Sequence, residues 1–72
     1  MLFSGTLRYN LDPFDMHPDE ALWHALDAVR LKDKLSLDQA GLNMRIHERG
    51  SNMSTGEKQL LCLARSLLQY VD

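Results

Sequence analysis

Cysteine is nearly absent from this sequence, in which Cys62 is the one thiol among 72 residues. A single cysteine excludes a disulfide within the chain and any zinc site built from several cysteines. Cys62 lies between Leu61 and Leu63 in an apolar helical pattern, which favours a small packing residue over a reactive thiol. The histidines lie in three separate segments without metal-ligand spacing, so we expect solvated or capping roles for them: His17, His24 and His47.

An excess of basic residues is also missing. The chain contains eight Lys and Arg residues and ten Asp and Glu residues, which give a formal net charge of −2. The basic residues are not clustered. Nucleic-acid surfaces need clustered Lys and Arg, so we expect no nucleic-acid partner. Long apolar runs are absent as well: each is only a few residues long, whereas roughly 20 are needed to cross a bilayer. The first residues do not have the pattern of a secretory signal, so we expect none. The composition predicts a soluble, cytosolic segment.

Residues 17–31, HPDEALWHALDAVRL, have the clearest helical pattern. Pro18 suits the first helical position, and Asp19 and Glu20 complement the positive end of the helix dipole. The next residues, LKDKLSL, predict a second short helical piece. The spacing of four apolar residues predicts the buried face of the first helix: Leu22, Ala25, Leu26 and Val29.

The flanking segments have weaker patterns. Residues 1–16 predict a strand end or loop, one or two helical turns over TLRYNL, and a turn at DPF, where Pro13 biases Asp12 away from helical dihedrals. Residues 39–53 predict a loop or a poor edge strand over LNMRIHE. A final helix should run from Ser54 to about Tyr70. Its predicted buried stripe consists of Leu60, Leu63, Ala64, Leu67 and Leu68.

Two or three amphipathic helices with almost no sheet predict a mainly α fold. The last helix is so apolar that we expect it to pack against something larger than this chain supplies. The sequence therefore predicts a piece of a domain, and we expect a loosely packed helical species if the piece stands alone.

The stretch GSNMSTGEKQLL, residues 50–61, puts small and hydroxyl-bearing residues directly before a helix. In one interpretation this is only a capping box, with Ser54 accepting from the Glu57 N–H and Glu57 reaching back to the Ser54 N–H. In the other, the unpaired N–H groups and partial positive charge of the first turn bind an anion such as phosphate. The residues of this stretch leave both interpretations open.

Three blocks of the chain together resemble a known family: LFSGTLRYNLDPF, EALWHALDAVRLKDKL and GSNMSTGEKQLLCLARSLL. In this order and spacing they are similar to the nucleotide-binding domain of ABC transporters, and most to the C-terminal such domain of the multidrug-resistance-associated (C-type) subfamily. The resemblance implies a helical-subdomain fragment of the α/β domain of a P-loop NTPase. It assigns residues 1–16 to the segment after the Q-loop, 17–53 to the helical subdomain, and 53–72 to the signature motif and the following helix.

The family's signature, usually L-S-G-G-Q, reads Met53-Ser54-Thr55-Gly56-Glu57 here. The resemblance implies that Ser54 to Glu57 contact the γ-phosphate of an ATP held by a second nucleotide-binding domain in a head-to-tail dimer. Thr55 replaces a glycine, at a position where the subfamily that the chain resembles often has a larger residue. Glu57 in place of glutamine is a stronger departure, because two unit charges roughly 10 Å apart at an effective dielectric near 20 interact by about 1.7 kcal/mol, here repulsively. A capping box would absorb part of that charge.

The chain contains neither a Walker A motif, G-x-x-x-x-G-K-[ST], nor the apolar strand ending in Asp-Glu that is Walker B. We therefore expect this segment alone not to hydrolyse ATP. The resemblance implies ATP and Mg²⁺ in the intact domain, transmembrane domains as further partners, and a place on the cytoplasmic face of a membrane. Two alternatives stay open: a stand-alone, non-catalytic helical module, and part of a soluble ABC ATPase that acts on chromosomes or ribosomes.

The large aromatic residues have two interpretations each. Trp23 is expected to be a partly buried face residue, with contact to a transmembrane domain as the alternative that the resemblance implies. Phe3 and Phe14 are expected to pack in the core, with the same docking role as the alternative. Arg8 and Arg65 are expected to form surface or structural ion pairs, and exposed pairs contribute little stability.

Overall fold

Helices make up most of the computed structural model, which describes residues 4–47 and 53–69. The prediction of a mainly α fold is confirmed. Phe3 and Gly50, and the predicted helix end at Tyr70, lie outside the described residues. The elements in chain order are strand β1 (Gly5–Thr6), helix α1 (Leu7–Leu11), helix α2 (Asp19–Ala28), helix α3 (Lys32–Leu35), a 3₁₀ turn (Gly41–Asn43), strand β2 (Arg45–Ile46) and helix α4 (Thr55–Gln69).

The two short strands connect the start of the chain to the segment that precedes α4. They pair antiparallel, with Gly5 opposite Ile46 and Thr6 opposite Arg45. Thr6 also begins α1, because its hydroxyl accepts a hydrogen bond from the Tyr9 N–H at 3.0 Å. The expected edge strand within LNMRIHE is thus present as two residues, and its pairing partner comes from the first residues of the chain.

Helix α2 has the buried face that its spacing predicts, with Leu22, Ala25 and Leu26 in the core. It runs from Asp19 to Ala28 and is therefore shorter at both ends than the predicted segment 17–31. Pro18 lies at the N-cap with an extended ψ of 163°, one residue before the predicted position.

A left-handed residue ends α2. Arg30 has a φ of +67°, while its N–H donates to the Asp27 carbonyl at 3.0 Å and the Leu31 N–H donates to the Leu26 carbonyl at 2.9 Å. These two bonds are those of a Schellman motif, which satisfies the free carbonyls of the last turn. The chain then turns directly into α3, the predicted second helical piece.

Helix α4 buries a different stripe from the predicted one. Leu61, Ala64 and Leu68 are buried, so the prediction is confirmed for two of them. It is wrong for Leu60, Leu63 and Leu67, which are 37%, 51% and 37% exposed, respectively. The helix carries two apolar stripes one position apart, and α1 and α2 cover only one of them. Periodicity gives the angle between the stripes but not which one meets a partner.

Two buried polar side chains, those of Asn10 and Asp12, hold the backbone around them by hydrogen bonds. The Asn10 side-chain amide donates to the Thr6 carbonyl at 3.0 Å, and the Asp12 carboxylate accepts from the N–H groups of Met16 and His17 at 3.0 and 2.9 Å. The resulting turn directs Phe14 outward, where it is 82% exposed. The prediction that Phe14 packs in the core is therefore wrong, because the backbone bonds of the turn decide its direction.

Candidate functional site

Ser54 and Glu57 form the predicted capping box at the start of α4. The Ser54 hydroxyl accepts from the Glu57 N–H at 3.1 Å, and the Glu57 Oε1 accepts from the Ser54 N–H at 2.9 Å. The first bond along the helix backbone then runs from the Lys58 N–H to the Ser54 carbonyl at 3.0 Å. This reciprocal pair fixes the direction in which the chain enters the helix.

The capping box leaves two N–H groups of this turn for another acceptor. Those of Ser54 and Glu57 are used within the box, whereas those of Thr55 and Gly56 have no acceptor among residues 4–47 and 53–69. Ser54, Thr55 and Gly56 are all exposed. Since the first turn of a helix carries a partial positive charge, the exposed pair of donors suits an anion.

Gly56 has no structural role that requires glycine in this fold. Its φ lies outside the left-handed region, and a Cβ built on it would have the Ser54 Oγ, at 4.0 Å, as its nearest neighbour. Glycine in a helix is less stable than alanine by roughly 0.5–1 kcal/mol. The space above Gly56 is therefore open, and a ligand can approach the backbone there more closely than it could over a side chain.

Lys34 of α3 contacts the Glu57 carboxylate of α4. Its Nζ forms a salt bridge with Oε2, while Oε1 accepts from Ser54, so both carboxylate oxygens are occupied. The hydrogen bond from Lys34, followed by the one from the Ser54 backbone, lowers the pKa of Glu57 below its ordinary value. Glu57 is therefore an anion at neutral pH, and its charge lies beside a cation.

Known proteins from several organisms are similar in sequence to this chain over nearly its whole length. The probable multidrug resistance-associated protein lethal(2)03659 of Drosophila melanogaster is 54% identical over 69 residues, which are 96% of this chain and 5% of that protein. Human ATP-binding cassette sub-family C member 4 is 48% identical with the same coverage, and ABC transporter C family member 12 of Dictyostelium discoideum is 49% identical. The chain is homologous to a segment of the C-type ABC transporters.

The expected resemblance to the multidrug-resistance-associated proteins is thus confirmed at the level of the subfamily. The mainly helical structure is consistent with a helical subdomain of an ABC ATPase. The chain spans about 5% of the length of these C-type ABC transporters. No protein-family model matches it.

The other residues singled out from the sequence have separate packing and polar contacts. Trp23 is half-buried against the core, as expected. Arg8 forms the expected ion pair, with Asp19 as its partner, and Arg65 donates to the Cys62 sulfur at 3.8 Å. Cys62 is half-buried and packs against the core, which confirms its predicted packing role.

Two further features concern the described part of the chain. No group of three or more His, Cys, Asp and Glu side chains there has an arrangement that could hold a metal ion. None of the helices described here combines the length and apolar character needed to cross a bilayer.

The contact from Lys34 is the feature of this region that the sequence did not predict. Lys34 precedes Glu57 by 23 positions, so no local spacing connects them. The capping box, by contrast, joins residues three positions apart and has a recognised pattern. A lysine four residues before a glutamate on one helix would have been predicted, but a pair between two helices depends on the packing of α3 against the rest.

Proposed function

We propose that the chain is the helical part of an ABC-transporter nucleotide-binding domain, the C-terminal one, and that residues 53–57 are its signature motif. In the assembled transporter, Ser54 to Glu57 would face the γ-phosphate of an ATP bound by a second nucleotide-binding domain in a head-to-tail dimer. Mg²⁺ would be held by that second domain, since this helix start presents hydroxyl and N–H groups and not several carboxylates. Transmembrane domains would couple ATP use to transport, with this segment on the cytoplasmic face.

The observation that carries this proposal is the open space above Gly56. Neither its backbone dihedrals nor its neighbours require a glycine, although glycine destabilises a helix turn. Close approach of a phosphate to the backbone would explain the residue. The N–H groups of Thr55 and Gly56, which find no acceptor in the described part of the chain, would then donate to the same oxygen atoms as the exposed Ser54 hydroxyl. Hydrogen bonds to charged acceptors are about twice as strong as neutral ones.

The exposed stripe on α4 supports placing the chain within a larger domain. Leu60, Leu63 and Leu67 lie on one side of the helix and are each more than one third exposed. Contiguous apolar surface of this kind usually marks an interface. We propose that the remainder of the nucleotide-binding domain covers this stripe.

The completed capping box favours a second candidate function, a non-catalytic helical module. Each of Ser54 and Glu57 already has a partner in the other, so the pair stabilises the helix without any ligand. This candidate predicts no response to nucleotide, whereas a soluble ABC ATPase would predict the same ATP contact without transmembrane partners. The two ATP-dependent candidates therefore share the experiment below, and the module is separated from both.

We expect Ser54→Ala to weaken ATP-dependent association between this chain and a second nucleotide-binding domain. That domain carries an intact P-loop and an alanine at its own signature serine, so that any complete site must use Ser54. Loss of one hydrogen bond to a charged acceptor is worth about 1.5–3 kcal/mol, or roughly 10- to 100-fold in affinity. The measurement is the dissociation constant with and without ATP and Mg²⁺.

Ser66→Ala is the matched control for Ser54→Ala. Ser66 lies on the same helix, is exposed, and its hydroxyl donates to the Cys62 carbonyl at 3.2 Å. The control should associate as the unsubstituted chain does. If the unsubstituted chain is folded and shows no ATP-dependent association, the transporter proposal is wrong and the helical module stands.

We expect Gly56→Ala to stabilise the free chain while weakening ATP-dependent association. Alanine should raise the free energy of unfolding by about 0.4–1 kcal/mol, because the site has room for a Cβ and no positive φ. The added methyl would keep a phosphate from the Thr55 and Gly56 N–H groups. Urea unfolding measures the first effect, and the association assay measures the second.

Gly41→Ala is the opposite control, because Gly41 has a φ of +55°. Alanine there should destabilise the chain by roughly 1–2 kcal/mol without changing the intrinsic affinity of the folded fraction. If Gly56→Ala left the association unchanged, close approach of an anion over Gly56 would be excluded.

A further inference from the structure

Helix α3 is fixed so that Lys34 lies beside the start of α4. This four-residue helix is anchored at its two ends by Leu31, which precedes it, and Leu35, its last residue. Both are buried, and the Leu35 N–H donates to the Leu31 carbonyl at 3.0 Å. Lys34 precedes the second anchor by one residue. Its side chain is 59% exposed and reaches the Glu57 carboxylate, whose side chain is only 19% exposed.

The two oxygens of Glu57 have different partners. Oε1 accepts from the Ser54 N–H at 2.9 Å, and Oε2 accepts from the Lys34 ammonium. With both oxygens engaged, the carboxylate is held between the Ser54 N–H and the Lys34 ammonium. A carboxylate that rotated toward the N–H groups of Thr55 and Gly56 would compete with any anionic ligand for the same donors.

We propose that Lys34 is the positioning residue of this site: its ammonium holds the Glu57 carboxylate in the capping geometry and compensates its charge. This inference rests on the proposed function for the identity of the ligand, an ATP γ-phosphate. It explains how an acidic residue is tolerated in a phosphate-binding turn. Because Lys34 acts through its contact with Glu57, its role is one of positioning.

The first test is the titration of Glu57 in the nucleotide-free, 72-residue chain, followed by carboxyl-carbon NMR. Lys34→Met keeps the length of the side chain but removes the ammonium, so the pKa of Glu57 should rise toward its ordinary value. It should stay below that value, because the Ser54 N–H still donates to Oε1. Lys34→Arg should restore the low pKa, since the guanidinium is also a cation with hydrogen-bond donors.

The matched control for this titration is Lys32→Met. Lys32 lies on the same short helix and is exposed, while Lys34 is the one charged side chain among residues 4–47 and 53–69 that acts on the pKa of Glu57. The control should leave the titration unchanged. An equal pKa in the unsubstituted and Lys34→Met chains overturns the proposal.

The sign of the stability effect gives a second readout. Because the folded pKa of Glu57 is lowered, the pair stabilises the fold above the ordinary glutamate pKa, and this stability is lost as the pH falls through the lowered value. The difference in melting temperature between the unsubstituted and Lys34→Met chains should therefore be present at pH 7 and shrink in acid. A difference that is equal at pH 7 and well below the lowered pKa contradicts the proposal.

The association assay tests the consequence for ATP. Lys34→Met should weaken ATP-dependent association by roughly ten-fold, as expected for an uncompensated charge about 10 Å from phosphate. The same substitution should have little effect in a Glu57→Gln background, because no charge then needs compensation. An equal loss in both backgrounds overturns the proposal. If the unsubstituted chain does not associate at all, the proposed function fails, and the titration alone decides whether Lys34 positions Glu57.

Discussion

Replacing Leu61 with alanine is expected to destabilise the chain by about 2–5 kcal/mol. Leu61 is 1% exposed and lies on the face of α4 that meets the other helices, so truncation removes buried apolar surface and leaves a cavity. A cooperatively folded chain of this length would have a free energy of unfolding of roughly 4–11 kcal/mol, whereas the loosely packed species expected from sequence would show no sharp transition. The substitution therefore removes a large part of the total. Urea unfolding followed by the fluorescence of the half-buried Trp23 measures the effect.

The neighbouring Leu60 provides the matched control, because it differs from Leu61 in burial and not in chemistry. It is 37% exposed, so Leu60→Ala should lower the free energy of unfolding by less than about 1 kcal/mol. The sequence-based stripe contained Leu60 and not Leu61. If Leu60→Ala destabilised the chain more than Leu61→Ala, the sequence-based stripe would be right and the packing described for α4 wrong.

The contrast between α2 and α4 explains how much of the fold could be predicted from sequence. In α2 the polar residues Glu20, His24 and Asp27 lie on the side of the helix opposite the leucines, so a single apolar face is left for burial. In α4 leucines occupy two adjacent stripes, and the polar residues do not separate them. The choice between Leu60 and Leu61 depends on where α1 and α2 lie, which is tertiary information.

Among the polar interactions, too, some could be predicted from the sequence and others could not. The Ser54–Glu57 box was predicted, because both partners are within one helical turn and their spacing is a known pattern. The role of Asp12 was not predicted, because DPF indicates a turn without saying which N–H groups a carboxylate will accept from. Phe14 followed the turn outward for the same reason.

The candidate site could be located from sequence because Met53 to Glu57 are contiguous. The resemblance to C-type ABC transporters suggested an ATP contact for this segment, which a helix cap alone would not suggest. What sequence could not supply was the compensation of Glu57. The repulsion estimated for an isolated carboxylate assumed no neighbour, whereas Lys34 lies against it. A charge in a candidate anion site has to be judged together with the residues that pack around it, and those become visible only in the folded chain.

Removing the Asp12 carboxylate is the second substitution with a large expected effect. Asp12 is 7% exposed and accepts from the N–H groups of Met16 and His17, so alanine leaves two backbone donors without their acceptor. Hydrogen bonds to charged groups contribute about 1.5–3 kcal/mol each, but water can reach this turn in part. We therefore expect Asp12→Ala to destabilise the chain by roughly 2–4 kcal/mol, measured by urea unfolding.

Asp12→Asn should have about half that effect, because the amide keeps one acceptor oxygen and replaces the other with a donor. Asp27→Asn, at an exposed position of α2, is the matched control and should stay within about 0.5 kcal/mol. Equal stability of the Asp12→Asn and Asp27→Asn chains would show that the turn is held by something other than this carboxylate.

The positions at which hydrogen exchange increases show whether a substitution of Asp12 loosens only the turn or also the start of α4. The turn lies against the end of α4, where Pro13, Phe14 and Met16 line a groove with Leu68 and Gln69. Hydrogen exchange in Asp12→Asn should therefore rise at Met16, at His17 and in the last turn of α4. It should change little at Glu57, whose N–H is held by Ser54. Because the two ends of α4 are held by different contacts, a loss of stability at Asp12 should leave the capping geometry of the candidate site in place.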